Sequence, residues 1–278
     1  MNQTFSIIRF RRLLRKYFSD NRGQLAANVG LLVGGLLVSS ALVYQGSPGA
    51  VSDQRQVLFF LLSWPCWYVF TMQQTAVLSQ KERAINYLIQ PVSQLEKILL
   101  IWLISGIGFL VVYISVFSLF DAMWVSYVNN REWSPEQLET MRRQGGLFEL
   151  KFIFNDKRMA DTPRQLWVIT VLLHPFTMAF SLLVRRYTLP LVVVIAFALL
   201  IFSYLGNNFL LHMLTGSEKI GSSSPFMDAN AISPTEQYQY RKVNLPQPVG
   251  NQIGYAVGIV VVVLLYITAY FRLKEREV

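Results

Sequence analysis

Six stretches of apolar residues alternate with polar segments along the chain. They lie near residues 24–44, 56–78, 98–120, 165–184, 188–212 and 250–271. Each stretch is long enough to cross about 30 Å of hydrocarbon as an α-helix. The pattern predicts an all-α, polytopic membrane protein with six transmembrane helices in a single domain over residues 1–278.

The charged side chains between these stretches indicate their orientation. The segments that carry the surplus positive charge are 1–23 (+5), 79–97 (+1), 185–186 (+2) and 272–278 (+1), which together hold the whole net charge of +9. The segments with no net charge are 45–55, 121–164 and 213–249. Because positively charged segments stay on the cytoplasmic side, both termini are predicted to be cytoplasmic, and 121–164 and 213–249 to be extracytoplasmic loops of a protein in the inner membrane.

Residues 5–18 combine apolar and basic side chains at helical spacing. The apolar residues on one side are Phe10, Leu13, Leu14, Tyr17 and Phe18. The basic residues, mostly on the other side, are Arg9, Arg11, Arg12, Arg15 and Lys16. This pattern predicts an amphipathic interfacial helix on the inner membrane surface, with Gly23 allowing a turn into the first span. Its partner would be anionic lipid headgroups rather than nucleic acid. A basic flank that only sets the topology is the alternative.

The segment 79–97 contains two signals for the start of a helix. Ser79 and Glu82 form one capping-box pattern, and Pro91 is expected to end the short helix that follows. Ser93 and Glu96 form a second capping box, which is expected to open the third span. The segment is therefore predicted to hold a short helix across the inner mouth of the bundle. A capped connector with no partner is the alternative.

The two predicted extracytoplasmic loops are long. In 121–164, Ser134-Pro135 indicates the start of a helix and Gly145-Gly146 its end. In 213–249 another start lies at Ser233-Pro234, and a loop of this length is expected to be partly helical or functional.

Catalytic signals are missing from the sequence. The six stretches contain no Asp, Glu, Lys or Arg, whereas ion-coupled carriers usually need such a group at depth. No G-x-S-x-G, H-E-x-x-H or G-x-x-x-x-G-K-[ST] pattern occurs, and His174 and His212 have no partners at metal-ligand spacing. We therefore expect that the chain is not an enzyme, binds no metal or cofactor, and draws energy for any uphill transport from another protein.

The stretch Asn86-Tyr87-Leu88-Ile89-Gln90-Pro91-Val92-Ser93-Gln94-Leu95-Glu96-Lys97 resembles a segment common in ABC-2-like permeases of Bacteroidetes-type bacteria, Leu-x-x-Pro-x-Ser-x-x-Glu-Lys. The ending Tyr270–Val278 is also similar to theirs, as is the order of the predicted elements along nearly the whole chain. The chain thus resembles the transmembrane permease subunit of the ABC-2 exporter class. The predicted outer loop 121–164 is longer than the connections of the simplest members.

This resemblance implies a division of labour between subunits. A separate ABC ATPase would bind and hydrolyse ATP, and the chain would pair with a second permease as a homodimer or heterodimer. The segment 79–97 would be the coupling helix that contacts the ATPase. The residues carried over to that contact are Glu82, Tyr87, Leu88, Pro91, Ser93, Glu96 and Lys97. The alternative is a non-transporting membrane anchor or scaffold for a cell-envelope machine. The sequence does not identify a substrate.

Overall fold

The computed structural model describes residues 5–76, 92–143, 149–184, 187–215, 220–222, 229–232, 240–243 and 249–277. Most of them are helical. The helices are α1 (Ile7–Val43), α2 (Pro48–Ala76), α3 (Gln94–Asn130), α4 (Pro135–Arg143), α5 (Lys157–Ala160), α6 (Arg164–Leu183), α7 (Thr188–Thr215) and α8 (Val249–Glu277). A 3₁₀ turn occupies Ile153–Asn155, and the strands are β1 (Ile220–Ser222), β2 (Ala229–Ile232) and β3 (Tyr240–Val243).

Five of these helices are long and apolar enough to cross a membrane, namely α1, α3, α6, α7 and α8. Their number and length are consistent with a multi-pass membrane protein. Helix α2 covers most of the predicted second span but is not among the five, because glutamines, tryptophans and Pro65 dilute its apolar residues. Six spans and the orientation of the termini therefore stay predictions.

The prediction of an all-α fold needs one correction. Strands β1, β2 and β3 form a small antiparallel sheet in that order, inside the segment 213–249 that was expected to be partly helical or functional. Short strands joined in sequence can satisfy each other's backbone groups without any helix. The predicted helix start at Ser233-Pro234 lies outside the described residues.

The described residues group into two compact units. The first contains α1, α2 as far as Gln74, α3, α4 and α5, and the second contains α6, α7, the three strands and α8. In the second unit α6 packs along α8, and His174 of α6 is hydrogen-bonded to the Tyr266 hydroxyl of α8 at 2.9 Å. The predicted single domain is neither supported nor excluded by this division.

Helix α1 continues through Gly23 without a break, so Gly23 does not separate two helices. A methyl group at Gly23 would meet nothing within 4 Å, and a glycine is tolerated inside a helix at a modest cost. The helix nevertheless changes direction. Ser6 contacts Glu96, Leu13 packs among apolar residues from the ends of α2 and α3, and Asn28 donates to Gln73.

These three contacts all lie at the same end of α2 and α3. Between Ser6 and Asn28, however, there are about 33 Å of helix at 1.5 Å per residue. A straight helix running along α3 would carry one of these residues far past that end. The first part of α1 must therefore cross the ends of α2 and α3, and α1 bends before Asn28.

Helix α3 is not uniformly α-helical. Its residues Trp102–Gly108 form a π-helical segment between two α-helical parts, Gln94–Ile101 and Phe109–Asn130. Trp67 of α2 donates its indole N–H to the Ser105 carbonyl in this segment at 2.6 Å, and its ring stacks on Phe109. Because a π-helical turn is rare and interrupts the regular hydrogen-bond pattern, α2 supplies part of the support for this irregular turn.

Candidate functional site

The predicted capping box at the start of α3 is confirmed. The Ser93 hydroxyl accepts from the Glu96 backbone N–H at 3.3 Å, and the Glu96 carboxylate accepts from the Ser93 backbone N–H at 2.9 Å. Glu96 also accepts from the Ser6 backbone N–H at 2.7 Å and from the Arg9 guanidinium at 3.1 Å. One fully buried carboxylate thus joins the first turn of α3 to the first turn of α1.

The apolar side of residues 5–18 lies against protein. Leu13 is buried with Leu100 and Ile104 of α3, and Phe10, Leu14 and Tyr17 pack on the same cluster. These apolar side chains therefore pack on the ends of α2 and α3, while the position of this helix on the inner membrane surface stays a prediction. Of the apolar residues predicted on this side, only Phe18 is exposed.

The basic residues of α1 divide between two environments. Arg9 is directed at Glu96, so its assignment to the membrane-surface group is wrong. Arg11, Arg12, Arg15 and Lys16 are exposed, and their contact with the membrane surface stays a prediction. Arg11, Arg12 and Arg15 line a shallow groove together with Ile7 and Ile8, which are 74% and 67% exposed.

The residues proposed for contact with an ATPase fall into two groups. Glu82, Tyr87, Leu88 and Pro91 lie outside the described residues. Ser93, Glu96 and Lys97 are buried, with exposures of 6%, 0% and 1%. A buried side chain cannot itself form part of a docking surface, so the assignment of these three residues to a direct contact with an ATPase is wrong.

The opposite end of α2 and α3 holds a buried ion network. The Arg55 guanidinium of α2 contacts the Asp121 carboxylate of α3 at 3.2 Å and also pairs with Asp156. It donates in addition to the Lys151 carbonyl at 2.6 Å. The Tyr44 hydroxyl, just after α1, donates to Asp121. The network therefore joins α1, α2, α3 and the segment that precedes α5.

Asp156 is held ionised by its surroundings. Burial alone would raise the pKa of Asp156, but hydrogen bonds from the Ser52 hydroxyl, the Arg158 backbone N–H and the Arg55 guanidinium lower it below its ordinary value. A charged Asp156 offsets the buried charge of Arg55, which would otherwise be costly. Asp156 also caps α5, so one side chain both balances Arg55 and starts that helix.

Sequence reasoning missed this network. Arg55 and Asp121 lie one residue outside the predicted second and third spans, and were therefore counted as loop charges. The available signal was their opposite sign at the facing ends of two adjacent antiparallel spans. Asp156 carried no such signal, because it comes more than thirty residues after Asp121 in a loop with many charges.

No family model, no curated protein and no solved structure matches this chain in the comparisons.

Proposed function

We propose that the chain is the membrane-spanning permease subunit of an ATP-binding-cassette exporter, with six spans and both termini in the cytoplasm of a bacterial inner membrane. A separate ATPase would bind and hydrolyse ATP, and a second permease, identical or different, would complete the transport path. The chain itself would carry out no chemistry. Its part would be to convert movement of the ATPase into movement of the helices.

The observation that carries this proposal is the shared carboxylate of Glu96. It holds the segment entering α3 and the beginning of α1 in one assembly, through Ser93, Ser6 and Arg9. A push on the segment 79–97 would therefore reach two helices at once. Transmission between distant sites needs such a continuous, rigid contact.

The positions of the buried charged side chains in the helices support the same proposal. Among the described residues, the buried Arg and Asp side chains of α2 and α3 are paired with each other near one helix end, and Glu96 is paired near the other. Ion-coupled carriers usually hold ionisable groups deep within the membrane, whereas these pairs lie at the edges of the predicted spans. An energy source outside the membrane is consistent with this arrangement.

A membrane anchor for a cell-envelope machine is the second candidate. The observation that favours it is the structure at the Asp121 end, where the ion network fixes α5 and residues 151–156 to α2 and α3. A firmly held platform of this kind suits the attachment of another protein.

Purification in mild detergent from the native cells, followed by an ATPase assay, separates the two candidates. A stoichiometric ATP-binding subunit with hydrolysis is the expected result. A protein that is recovered alone, or only with envelope components, would contradict the exporter proposal and favour the anchor.

A charge reversal then tests the coupling segment. Glu82→Lys is expected to reduce the amount of ATPase recovered while membrane insertion stays normal. The matched control is Glu139→Lys, because Glu139 is an exposed glutamate of α4, outside the predicted coupling segment. Equal recovery of the ATPase with both variants would exclude Glu82 from the contact.

A further inference from the structure

Two phenylalanines are exposed on the short segment that leads into α5. Phe152 and Phe154 are 51% and 49% exposed, whereas Ile153 between them is 1% exposed. The chain thus buries the middle side chain in the first unit and directs the two aromatic rings outward. An exposed aromatic pair on a polar loop calls for a partner, because loops in water are mostly polar.

Side chains of α2 and α3 hydrogen-bond part of the backbone of this segment. Asn129 bonds both the N–H and the carbonyl of Leu150 at 2.9 Å. Arg55 donates to the Lys151 carbonyl at 2.6 Å, and Asp121 accepts from the Ile153 N–H at 2.7 Å. Irregular backbone is tolerated at membrane depth only where protein groups satisfy it in this way.

The segment that carries Phe152 and Phe154 also lies alongside α2, beyond the polar first turns of that helix. The ring of Phe154 contacts the ring of Phe59 edge to face, with centroids 5.9 Å apart. Phe59 lies about 5 Å, or one helical turn, inside the predicted second span. The tip of the segment is therefore level with the apolar part of α2 rather than with its polar start.

The surface at this level is apolar. On α2, Val57 and Leu61 are 62% and 65% exposed, and on α3 Leu119 is 62% exposed. Arg55 and Asp121 are turned inward and paired, whereas Lys151, next to Phe152, is exposed. Two exposed rings beside helices with exposed apolar residues fit hydrocarbon, and the flexible stem of Lys151 can place its ammonium at the polar boundary.

We propose that residues 150–156 form a re-entrant loop that inserts Phe152 and Phe154 among the lipid acyl chains of the adjacent leaflet. The buried ion network would then have a second purpose, since it satisfies the backbone of a loop that has left the water. The inference rests on the part of the proposed function that places the chain across a membrane. It does not depend on an ATPase partner.

Nitroxide labelling in lipid nanodiscs tests this inference. In a Cys66→Ser background, which removes the only cysteine, single cysteines are introduced by Phe152→Cys, Phe154→Cys and the control Glu139→Cys. Each label is then exposed to oxygen, which concentrates in acyl chains, and to a water-soluble nickel chelate. We expect the ratio of oxygen to nickel accessibility to be several-fold higher at 152 and 154 than at 139.

Two results would overturn the proposal. Nickel access at 152 and 154 equal to that at 139 would place the rings in water, and low access to both reagents would place them against protein. The two labelled positions serve as a check on each other, because Phe152 can be replaced without losing the contact between Phe154 and Phe59. Insertion of all variants is verified by their assembly into nanodiscs, so failure of the exporter proposal leaves this result interpretable.

Discussion

The Arg55 guanidinium lies 3.2 Å from the Asp121 carboxylate, and solvent reaches neither side chain, with exposures of 0% and 1%. Removal of one partner would leave the other charge buried and unpaired, which typically costs about 3–5 kcal/mol. This relationship between α2 and α3 leads to the first prediction.

Arg55→Gln and Asp121→Asn should each lower the free energy of unfolding by about 3 kcal/mol, and the double variant by clearly less than the sum of the two. The measurement is a double-mutant cycle on unfolding in mixed micelles. The control is Arg143→Gln, which removes an exposed pair with Glu139 and should cost about 0–1 kcal/mol. Strictly additive losses at 55 and 121 would show that the two charges do not stabilise each other.

The lowered pKa of Asp156 predicts that the stability of the fold depends on pH. Because the folded-state pKa of Asp156 is lowered, its stabilising contribution is present above the unfolded-state pKa of about 3.9 and is lost as the pH falls through the folded-state value. The difference in melting temperature between the natural protein and Asp156→Asn should thus be constant near neutral pH and shrink below about pH 4. A difference that does not change with acid would contradict this assignment.

The contacts of Glu96 predict that the first turn of α1 is stabilised by the start of α3. Glu96→Gln keeps an acceptor for Ser6 and Ser93 but removes the charge that pairs with Arg9, and should cost about 1–2 kcal/mol. Glu96→Ala removes the shared acceptor altogether and should cost more. Amide hydrogen exchange in residues 6–10 is the measurement, since release of Ser6 and Arg9 should accelerate it.

Replacement of Arg9 by Gln provides the companion test for this site. It should reproduce the effect of Glu96→Gln, and the two changes together should cost little more than either alone. Exchange in residues 6–10 that is unaffected by both variants would show that Glu96 does not hold α1.

The hydrogen bond from Trp67 to Ser105 predicts that α2 stabilises the π-helical segment of α3. Trp67→Phe removes the indole donor to the Ser105 carbonyl and should lower the free energy of unfolding by about 1–2 kcal/mol, with faster amide exchange in residues 102–108. Tyr127→Phe is the control, because it removes a donor from a half-exposed aromatic side chain of α3, the helix that contains residues 102–108. Equal exchange in the two variants would argue against a support from α2.

Several local elements could be predicted from the sequence. The fourth predicted span, 165–184, matches α6 within one residue at each end, and the fifth, 188–212, has the same first residue as α7. The second capping box is also where the pattern indicated, at Ser93 and Glu96. These features depend on neighbouring residues, through apolar runs and hydrogen bonds that span three or four positions.

Tertiary structure decided which side chains meet. The pairs formed by Glu96 with Arg9, by Arg55 with Asp121 and by Arg55 with Asp156 are 87, 66 and 101 residues apart in the chain. No periodic pattern carries information over such separations. The same holds for the apolar side of α1, whose residues suit a membrane surface and a protein surface equally well by composition.

The sequence by itself therefore determined where the long apolar helices form and where α3, α6 and α7 start, because helix formation responds to local composition and capping. Only the tertiary structure decided that α1 turns its apolar side onto α2 and α3, and that Arg55 gathers Asp121 and Asp156 into a buried network. The physical reason is that the free energy of burying a charge or an apolar side chain depends on the groups around it. Only the folded chain fixes which groups those are.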